Sequence, residues 1–304
     1  MHLTIAIPTY NRYEKLKYQL DCLLSSRNDF GAIFNVIVCD NCSTDLTHEL
    51  AGHSIFSMAD DKYIKNEKNV GLIGNLNRCV KEANGDFVWL LGDDDPIIPK
   101  ELAKATQQLN LTYSSDLNII FVNPCVLNQN ETMDVQSSTF ISYVGNKINE
   151  GEFIGTELFS KILSVNDLLT YWISAFWLRS SVAKNCIENQ KIHSENLMLP
   201  LYLVGHAIAN GNAAYWKFTI VQHRCDEDSW SDTYKKLVLW VDQPEVIIKL
   251  IDEGVPKSIF KAYILQTNFN FKTIISLLLK FPKSYKRIFE IQFLWNKLKK
   301  TFNA

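Results

Sequence analysis

The sequence lacks an apolar run long enough to cross a membrane. Its longest candidate, TIISLLLKF, has about half of the roughly 20 apolar residues that a membrane-spanning helix needs. The first residues, MHLTIAIPTYNR, have neither the basic lead nor the long apolar core of a signal peptide. We therefore expect a cytoplasmic protein.

A cysteine framework is also absent. The 7 cysteines are odd in number and irregularly spaced, which favours reduced thiols in a reducing compartment. Cys39 and Cys42 form a C-x-x-C pair, but no second pair lies at zinc-finger spacing. The sequence therefore disfavours a metal or redox role for this pair.

Common ligand-binding motifs are missing as well. The chain contains no G-x-G-x-x-G run for a dinucleotide and no G-x-x-x-x-G-K-[ST] run for a P-loop ATPase. The D-x-D-x-D-G spacing of an EF-hand calcium loop is absent too. Internal repeats and low-complexity tracts are also lacking. These absences argue against a Rossmann dinucleotide site, a P-loop enzyme, an EF-hand and a repeat protein.

Charge is present but unevenly distributed. The net charge of the 304 residues is −2, yet residues 257–304 hold ten Lys or Arg and one acid, a local charge of +9. The rest of the chain therefore carries −11. A basic tail on an acidic body predicts an acidic partner, such as a membrane leaflet or a nucleic acid.

Strand-like and helix-like segments alternate in the N-terminal third. Between the strand-like runs lie segments with apolar residues at helical spacing, such as YEKLKYQLDCLLSS. This alternation predicts an α/β fold with a mostly parallel sheet. The strand-like runs are LTIAIPTY, FNVIVCDN, a weaker one around Tyr63, DFVWLLGDDD and LNIIFVNP.

The middle of the chain is less regular. Residues 126–165 are polar and weakly periodic, and we expect them to cross the outside of the sheet. A strand and a helix should follow near DLLTYWISAFWLRSSVA, then a helix that ends near Gly211 and another strand. From about residue 233 the pattern is helical and amphipathic.

Polar clusters follow the predicted strands: PTYNR, CDNCSTD and GDDDP. The carboxyl ends of parallel strands meet at one edge of a sheet, where ligands bind. Asp93 and Asp95 are expected to face one way and Asp94 the other, because side chains alternate along a strand. By itself the aspartate run favours a solvated turn that caps the next helix. The neighbouring clusters favour Mg2+ or Mn2+ bound together with a diphosphate.

The segments IAIPTYNR, VIVCDNCSTD, NVGLIGNLNRCV and ANGDFVWLLGDDD resemble, in this order, inverting family 2 glycosyltransferases of the abequosyltransferase type. The likeness is specific over residues 1–125 and looser over 160–232. It implies the GT-A fold, a Rossmann-like, mostly parallel sheet flanked by helices, here with a helical C-terminal extension. The implied domains are a glycosyltransferase domain over 1–232, divided at 125 into nucleotide-sugar and acceptor halves, and a basic helical extension over 233–304.

The resemblance also implies site residues. It assigns the donor nucleotide to Pro8, Thr9, Tyr10, Asn11, Arg12, Asp40, Asn69, Gly71, Asn75 and Asp93. It assigns Mn2+ or Mg2+ to Asp94 and Asp95. The first acid of the family's usual DADD is Gly92 here.

A later cluster, VQHRCDEDSW, resembles the family's basic element over the diphosphate, without its usual spacing. It makes Arg224 a candidate for the diphosphate and His223 a candidate for the cation. The alternative for His223 is a side chain that packs at a strand end.

The catalytic base has no clear match. The family often places Glu-Asp about twelve residues before a helix-ending Gly, but counting back from Gly211 gives Leu199 and Pro200. Glu195 is the first candidate, followed by Asp167 and His193. A surface histidine is the simpler interpretation of His193.

The implied reaction is metal-dependent, inverting transfer from a UDP, GDP or TDP sugar to a lipid-linked precursor of O-antigen or capsule. The alternative is a non-catalytic subunit that binds a nucleotide sugar. The tail, with Phe, Leu, Trp, Lys and Arg at helical spacing, either lies on the cytoplasmic face of the inner membrane or packs on the domain.

Overall fold

The computed structural model describes residues 1–112, 116–126, 141–142, 147–165, 167–223, 232–267 and 271–303. The strands are β1 Leu3–Thr9, β2 Asn35–Asp40, β3 Lys62–Lys65, β4 Phe87–Leu90, β5 Leu117–Phe121, β6 Cys125–Val126, β7 Ile141–Ser142, β8 Gly151–Ile154, β9 Phe176–Arg179, β10 Asn212–Tyr215 and β11 Gln222–His223. The helices are α1 Tyr13–Phe30, α2 Gly71–Glu82, α3 Pro99–Leu111, α4 Gly155–Val165, α5 Ser180–Glu188, α6 Leu199–Ala209, α7 Asp232–Leu237, α8 Gln243–Asp252, α9 Lys261–Gln266, α10 Phe271–Lys280 and α11 Tyr285–Asn303.

The central sheet has the strand order β3-β2-β1-β4-β9-β5-β10-β8. Its first four strands are parallel neighbours, as the alternating pattern predicted. Strand β9 runs antiparallel between β4 and β5, with Trp177 opposite Trp89 and Phe176 opposite Phe121. The start of β9 therefore lies at the same sheet edge as the ends of β4 and β5.

Each face of the sheet is covered by helices. In β1, Ile5 and Ile7 pack on one side, among apolar residues of α1 and α3. The intervening Ala6 faces the other side, where α2, α4, α5 and α6 contribute to a second core. Strands buried on both faces explain the continuous apolar runs in the sequence.

The segment 126–165 departs from expectation at its C-terminal end. The prediction that it crosses outside the sheet is wrong for residues 151–165. Gly151–Ile154 pairs with β10 as the edge strand β8, and Gly155–Val165 forms the helix α4. Leu158, Phe159 and Ile162 are buried, so one face of this helix packs in the core.

The C-terminal helices pack on this body. Trp295 of α11 is fully buried and lies edge-on to Tyr263 of α9, with ring centroids 5.7 Å apart. Helix α8 packs so closely on α6 that a Cβ added at Gly205 would overlap the side chain of Leu250. Part of the tail therefore packs on the domain. None of the described helices has the length and apolarity that a membrane crossing requires.

Candidate active site

The ends of β1, β2 and β4 form one edge, because Thr9 is opposite Asp40 and Ala6 is opposite Leu90 in the parallel ladders. The chain leaves β4 through Leu91 and Gly92 and turns at the aspartates. Helix α1 supports this turn, since the Gln19 side-chain amide donates to the Asp95 carbonyl at 3.1 Å. The convergence predicted for PTYNR, CDNCSTD and GDDDP is thus present.

Asp93 points into the protein. One of its carboxylate oxygens accepts a hydrogen bond from the Thr9 hydroxyl at 2.7 Å. Burial raises the pKa of Asp93 to about 6, although the positive charge of Arg12 and the Thr9 hydrogen bond oppose the rise.

Asp95 is buried with it. A single carboxylate oxygen accepts from the Ser174 hydroxyl at 2.5 Å and from the indole N–H of Trp172 at 2.8 Å. The Ser174 hydroxyl oxygen also accepts from the Gly92 N–H at 2.9 Å. Burial raises the pKa of Asp95 to about 7, although the hydrogen bonds from Ser174 and Trp172 oppose the rise.

Gly92 matters because of this arrangement. A Cβ at this position would lie 2.5 Å from a carboxylate oxygen of Asp95. The absence of a side chain lets the Asp95 carboxylate turn back over the backbone of residue 92. The glycine at residue 92 is therefore coupled to the position of the Asp95 carboxylate.

Asp94 has the opposite orientation. Its side chain is 41% exposed, and its carboxylate lies 2.6 Å from the Arg12 guanidinium and 3.9 Å from the Lys15 ammonium. Arg12 is also 3.7 Å from Asp93. The predicted alternation of the acids holds, with Asp94 on the open side and the other two inside.

The loop after β1 is held by the loop after β2. Asn11 adopts a left-handed backbone conformation with φ 53°, its N–H donates to the Ser43 hydroxyl at 2.9 Å, and its side chain accepts from the Thr44 N–H at 2.8 Å. The Arg12 N–H donates to the Thr47 hydroxyl at 3.0 Å. These contacts fix where Arg12 enters the site. Pro8 and Thr9 are buried strand residues, whereas Tyr10 is exposed.

Asp40, predicted to bind the base, is fully buried. One of its oxygens accepts from the Ser43 N–H at 2.8 Å and the other from the Tyr63 hydroxyl at 3.0 Å. Burial, followed by the negative charge of Asp40, raises the pKa of Tyr63. The contacts of Asp40 hold the strand end and its turn, and its role toward a base stays a prediction.

An amide network connects the third predicted loop to β2. The Asn69 side-chain oxygen accepts from the Gly71 N–H at 2.8 Å and from the Asn41 amide at 2.9 Å. Gly71 has φ +76°, which favours glycine there. The Asn75 amide is buried and donates to the Cys39 carbonyl at 2.8 Å. Asn41, whose side-chain oxygen accepts from the Val70 N–H at 2.9 Å, is a member that the sequence analysis missed.

The candidate catalytic bases lie in two other segments of the chain. Glu195 and His193 are exposed, and the Glu195 N–H donates to the His193 ring at 3.3 Å. Asp167 begins the short helix Asp167–Thr170, and its side chain lies outside the described residues. His223 pairs through its backbone with Val126, while its side chain and the whole of Arg224 are likewise not described.

The loop that carries Glu195 is fastened to the C-terminal helices. The His193 N–H donates to Glu245 at 3.0 Å, and the Leu197 N–H donates to Asp242 at 3.0 Å. Arg287 of α11 pairs with Asp242 at 2.6 Å and with Glu245. Asp242 and Glu245 thus hold the backbone of residues 193–197. Arg287 in turn holds the two carboxylates.

Asp94 and Asp95 can supply only part of a cation's coordination shell. In the described part of the chain, no group of three or more His, Cys, Asp or Glu side chains is placed to hold a metal ion. The chemistry of the carboxylates nevertheless fits a hard divalent cation that takes its remaining ligands from phosphate and water.

Comparisons with known proteins agree with this arrangement. Residues 4–146 match the model of Glycosyl transferase family 2. An abequosyltransferase of Salmonella typhimurium is 33% identical over 107 residues, which cover 34% of this chain and 31% of that protein. A GalNAc(5)-diNAcBac-PP-undecaprenol beta-1,3-glucosyltransferase of Campylobacter jejuni is 26% identical over 196 residues, covering 64% and 55%. The aligned parts therefore span less than two thirds of either relative.

Among solved structures, TarS 1–349 of S. aureus in complex with UDP-GlcNAc is similar to this chain. The TM-score is 0.57 and the identity 16%, over 94% of this chain and 73% of that one. This likeness shows that the fold is the GT-A fold predicted from the sequence.

Proposed function

We propose that this chain, whose residues 4–146 match the model of Glycosyl transferase family 2, transfers a sugar from a nucleoside-diphosphate donor to a hydroxyl of a cell-surface polysaccharide precursor. The observation that carries the proposal is the pair of buried carboxylates, Asp93 and Asp95, beside the basic groups of Arg12 and Lys15 at the strand ends. Asp94, which lies between them in the sequence, faces solvent. This combination suits a diphosphate together with a cation.

Mn2+ or Mg2+ is proposed to bind at Asp94 and Asp95. Burial raises the pKa of Asp93 and Asp95 because it removes their charged forms from water. A divalent cation would stabilise the charged forms, and when bound it would neutralise charge on the departing diphosphate. His223 remains a proposed further ligand.

Arg12 is proposed to bind the diphosphate of the donor. Its guanidinium is already at the mouth of the site, paired with Asp94 at 2.6 Å. The backbone hydrogen bond to Thr47 fixes its starting position, while the side chain, 35% exposed, can turn to a phosphate. Lys15 adds a second positive charge, and Arg224, which lies outside the described residues, is proposed as a further ligand of the diphosphate.

The proposed reaction inverts the configuration of the sugar. The acceptor oxygen forms a bond to the anomeric carbon while the bond from that carbon to the diphosphate oxygen breaks, and the electron pair leaves with the diphosphate. One side chain takes the hydroxyl proton, with Glu195 as first candidate and Asp167 and His193 as alternatives. The Campylobacter relative is named for a PP-undecaprenol substrate, which supports the proposal of a lipid-linked acceptor here.

A thermal-shift screen of UDP, GDP and TDP sugars, each with and without Mn2+, tests the donor. A ligand that binds only the folded protein raises its melting temperature. We expect one nucleotide class to give a shift that depends on Mn2+ and that Asp94→Ala abolishes. If no nucleotide sugar produces a shift, the proposed donor class is wrong.

Release of nucleotide from the selected donor then separates the enzyme from a non-catalytic binding subunit. Slow, metal-dependent hydrolysis supports the transferase. Tight donor binding without hydrolysis, or without transfer to any lipid-linked acceptor, would support the binding subunit instead.

A further inference from the structure

The outward side of α11 is apolar. Tyr285, Phe289 and Phe293 are exposed over 49%, 51% and 69% of their surfaces. Their spacing of four residues places them on one side of the helix. We call these three residues the aromatic ridge. The opposite side of the helix, with Ile288 and Trp295, is buried in the protein, so packing on the domain leaves the aromatic ridge uncovered by the described residues.

Helix α10 also exposes apolar side chains. Ile275 and Leu279 also lie four residues apart and are exposed over 40% and 78%. Single exposed apolar residues are ordinary on protein surfaces, whereas a repeated stripe on two successive helices indicates a contact surface.

The charged residues of this segment are almost all basic. Among residues 257–304 the only acid is Glu290. Lys286 lies next to the aromatic ridge, with its ammonium 6.0 Å from the centre of the Tyr285 ring. Exposed lysines of α10, α11 and the turn between them are Lys272, Lys280, Lys283, Lys286, Lys297 and Lys300.

We propose that the aromatic ridge and the surrounding lysines bind the surface of an anionic lipid bilayer. Aromatic side chains enter the interface between headgroups and acyl chains, while lysines reach the anionic headgroups beside them. Both kinds of residue occur together here. The proposal concerns a surface separate from the nucleotide-sugar site.

Charge selects this partner over a second copy of the chain. A symmetric contact through the aromatic ridge would bring two segments of +9 face to face, at a cost in electrostatic repulsion. An anionic bilayer is complementary to the same segment.

The experiment compares two full-length variants that differ only in location. Phe293→Glu places a charge in the aromatic ridge, and Leu111→Glu places one at the end of α3, where the side chain is exposed to the same extent, 68% against 69%. Binding to vesicles of phosphatidylcholine with phosphatidylglycerol is measured by co-sedimentation. We expect Phe293→Glu to lower the partition coefficient by about tenfold or more, and Leu111→Glu to leave it near the parent value.

Salt and lipid composition provide a second measurement. Replacement of Lys283, Lys286, Lys297 and Lys300 by Gln should also lower binding, and raised salt should weaken the parent but change this variant less. Vesicles of phosphatidylcholine alone should bind the parent weakly. Binding that is equal on both vesicle types and indifferent to salt would contradict the proposal.

Two other outcomes overturn it. Equal vesicle binding by Phe293→Glu and the parent would exclude the aromatic ridge as the contact. Self-association of the parent that Phe293→Glu abolishes, without vesicle binding, would show a contact between copies. Nucleotide-sugar binding and the melting temperature should be unchanged in Phe293→Glu, so failure here is distinct from failure of the proposed sugar transfer.

Discussion

The indole N–H of Trp172 donates a 2.8 Å hydrogen bond to the carboxylate of Asp95, 77 residues earlier in the chain. Burial raises the pKa of Asp95 to about 7, and this hydrogen bond opposes the rise. Trp172 therefore acts on the protonation of a carboxylate that we propose as a cation ligand. It is a positioning residue, because its hydrogen bond acts through Asp95.

Trp172→Phe should move the acid limb of the pH–activity profile to higher pH. Loss of the donor raises the pKa of Asp95 further, so the ionised form needed for cation binding appears later as pH increases. The profile of kcat/KM against pH measures the shift. Trp240→Phe, the same change in the C-terminal helices, is the control and should leave the profile in place. Identical profiles for Trp172→Phe and the parent would contradict the assignment.

Asp95→Asn should stabilise the cation-free protein at high pH while abolishing transfer. The pKa of this group is about 3.9 when unfolded and about 7 when folded. Its effect on the free energy of unfolding therefore becomes more unfavourable as pH rises between these values, and is complete above about pH 7. Removing the charge should raise the free energy of unfolding by on the order of a few kcal/mol near pH 8 and change it little near pH 4.

Melting temperatures at the two pH values check this expectation. Asp60→Asn, at an exposed aspartate remote from these contacts in the chain, is the control and should change the melting temperature little at either pH. A larger gain near pH 4 than near pH 8 would contradict the sign.

Gly92→Ala should displace Asp95. The added Cβ would lie 2.5 Å from the Asp95 carboxylate, which must then move away from Ser174 and Trp172. We expect a loss of about 1–3 kcal/mol in the free energy of unfolding and at least tenfold weaker cation-dependent activity. Gly52→Ala, where a Cβ meets no atom within 4 Å, should change neither quantity much. Full activity in Gly92→Ala would show that Asp95 tolerates the displacement.

Glu195→Gln tests the first candidate base. Removing the proton acceptor should lower kcat by about 100-fold or more, while the donor still binds and shifts the melting temperature. Glu188→Gln, at another exposed acid, is the control. If Glu195→Gln keeps full kcat, Asp167→Asn and His193→Gln become the next variants to compare.

Arg287→Met should loosen the loop of residues 193–197. It leaves Asp242 and Glu245 buried without their cationic partner, at a cost of about 3–5 kcal/mol in the free energy of unfolding. KM for the acceptor should rise more than the Kd for the donor, because the two carboxylates hold residues 193–197. Arg78→Met, the same substitution at an exposed arginine of α2 that pairs with Glu82, is the control. A purely structural role would change stability and leave the ratio of these constants unaltered.

The nucleotide-side arrangement could be predicted because it depends on short-range patterns. Apolar runs alternating with amphipathic helices give parallel strands, and parallel strands place Thr9, Asp40 and Asp93 at one edge. The alternation of side chains along an extended segment also predicted that Asp94 would face away from its neighbours. These inferences need no information about distant pairing.

The partners of Asp95 could not be predicted in this way. Ser174 and Trp172 reach the site because β9 inserts antiparallel between β4 and β5. These strand pairings join residues more than 50 positions apart, which no local periodicity encodes. The same limit applies to Arg287, whose carboxylate partners lie 42 and 45 residues away. Edge strand β8 was missed because its residues alternate between exposed and half-buried, which gives no apolar run.

The burial of Trp295 has a practical consequence for how this protein can be regulated. The side of α11 that carries Trp295 completes the core, and the side that carries Phe293 is offered to solvent. Proteolytic removal of α11 would therefore not leave an intact domain behind. It would uncover the core and leave Asp242 without Arg287. Cleavage of α11 could therefore not remove the proposed lipid contact alone, because the same helix stabilises the fold.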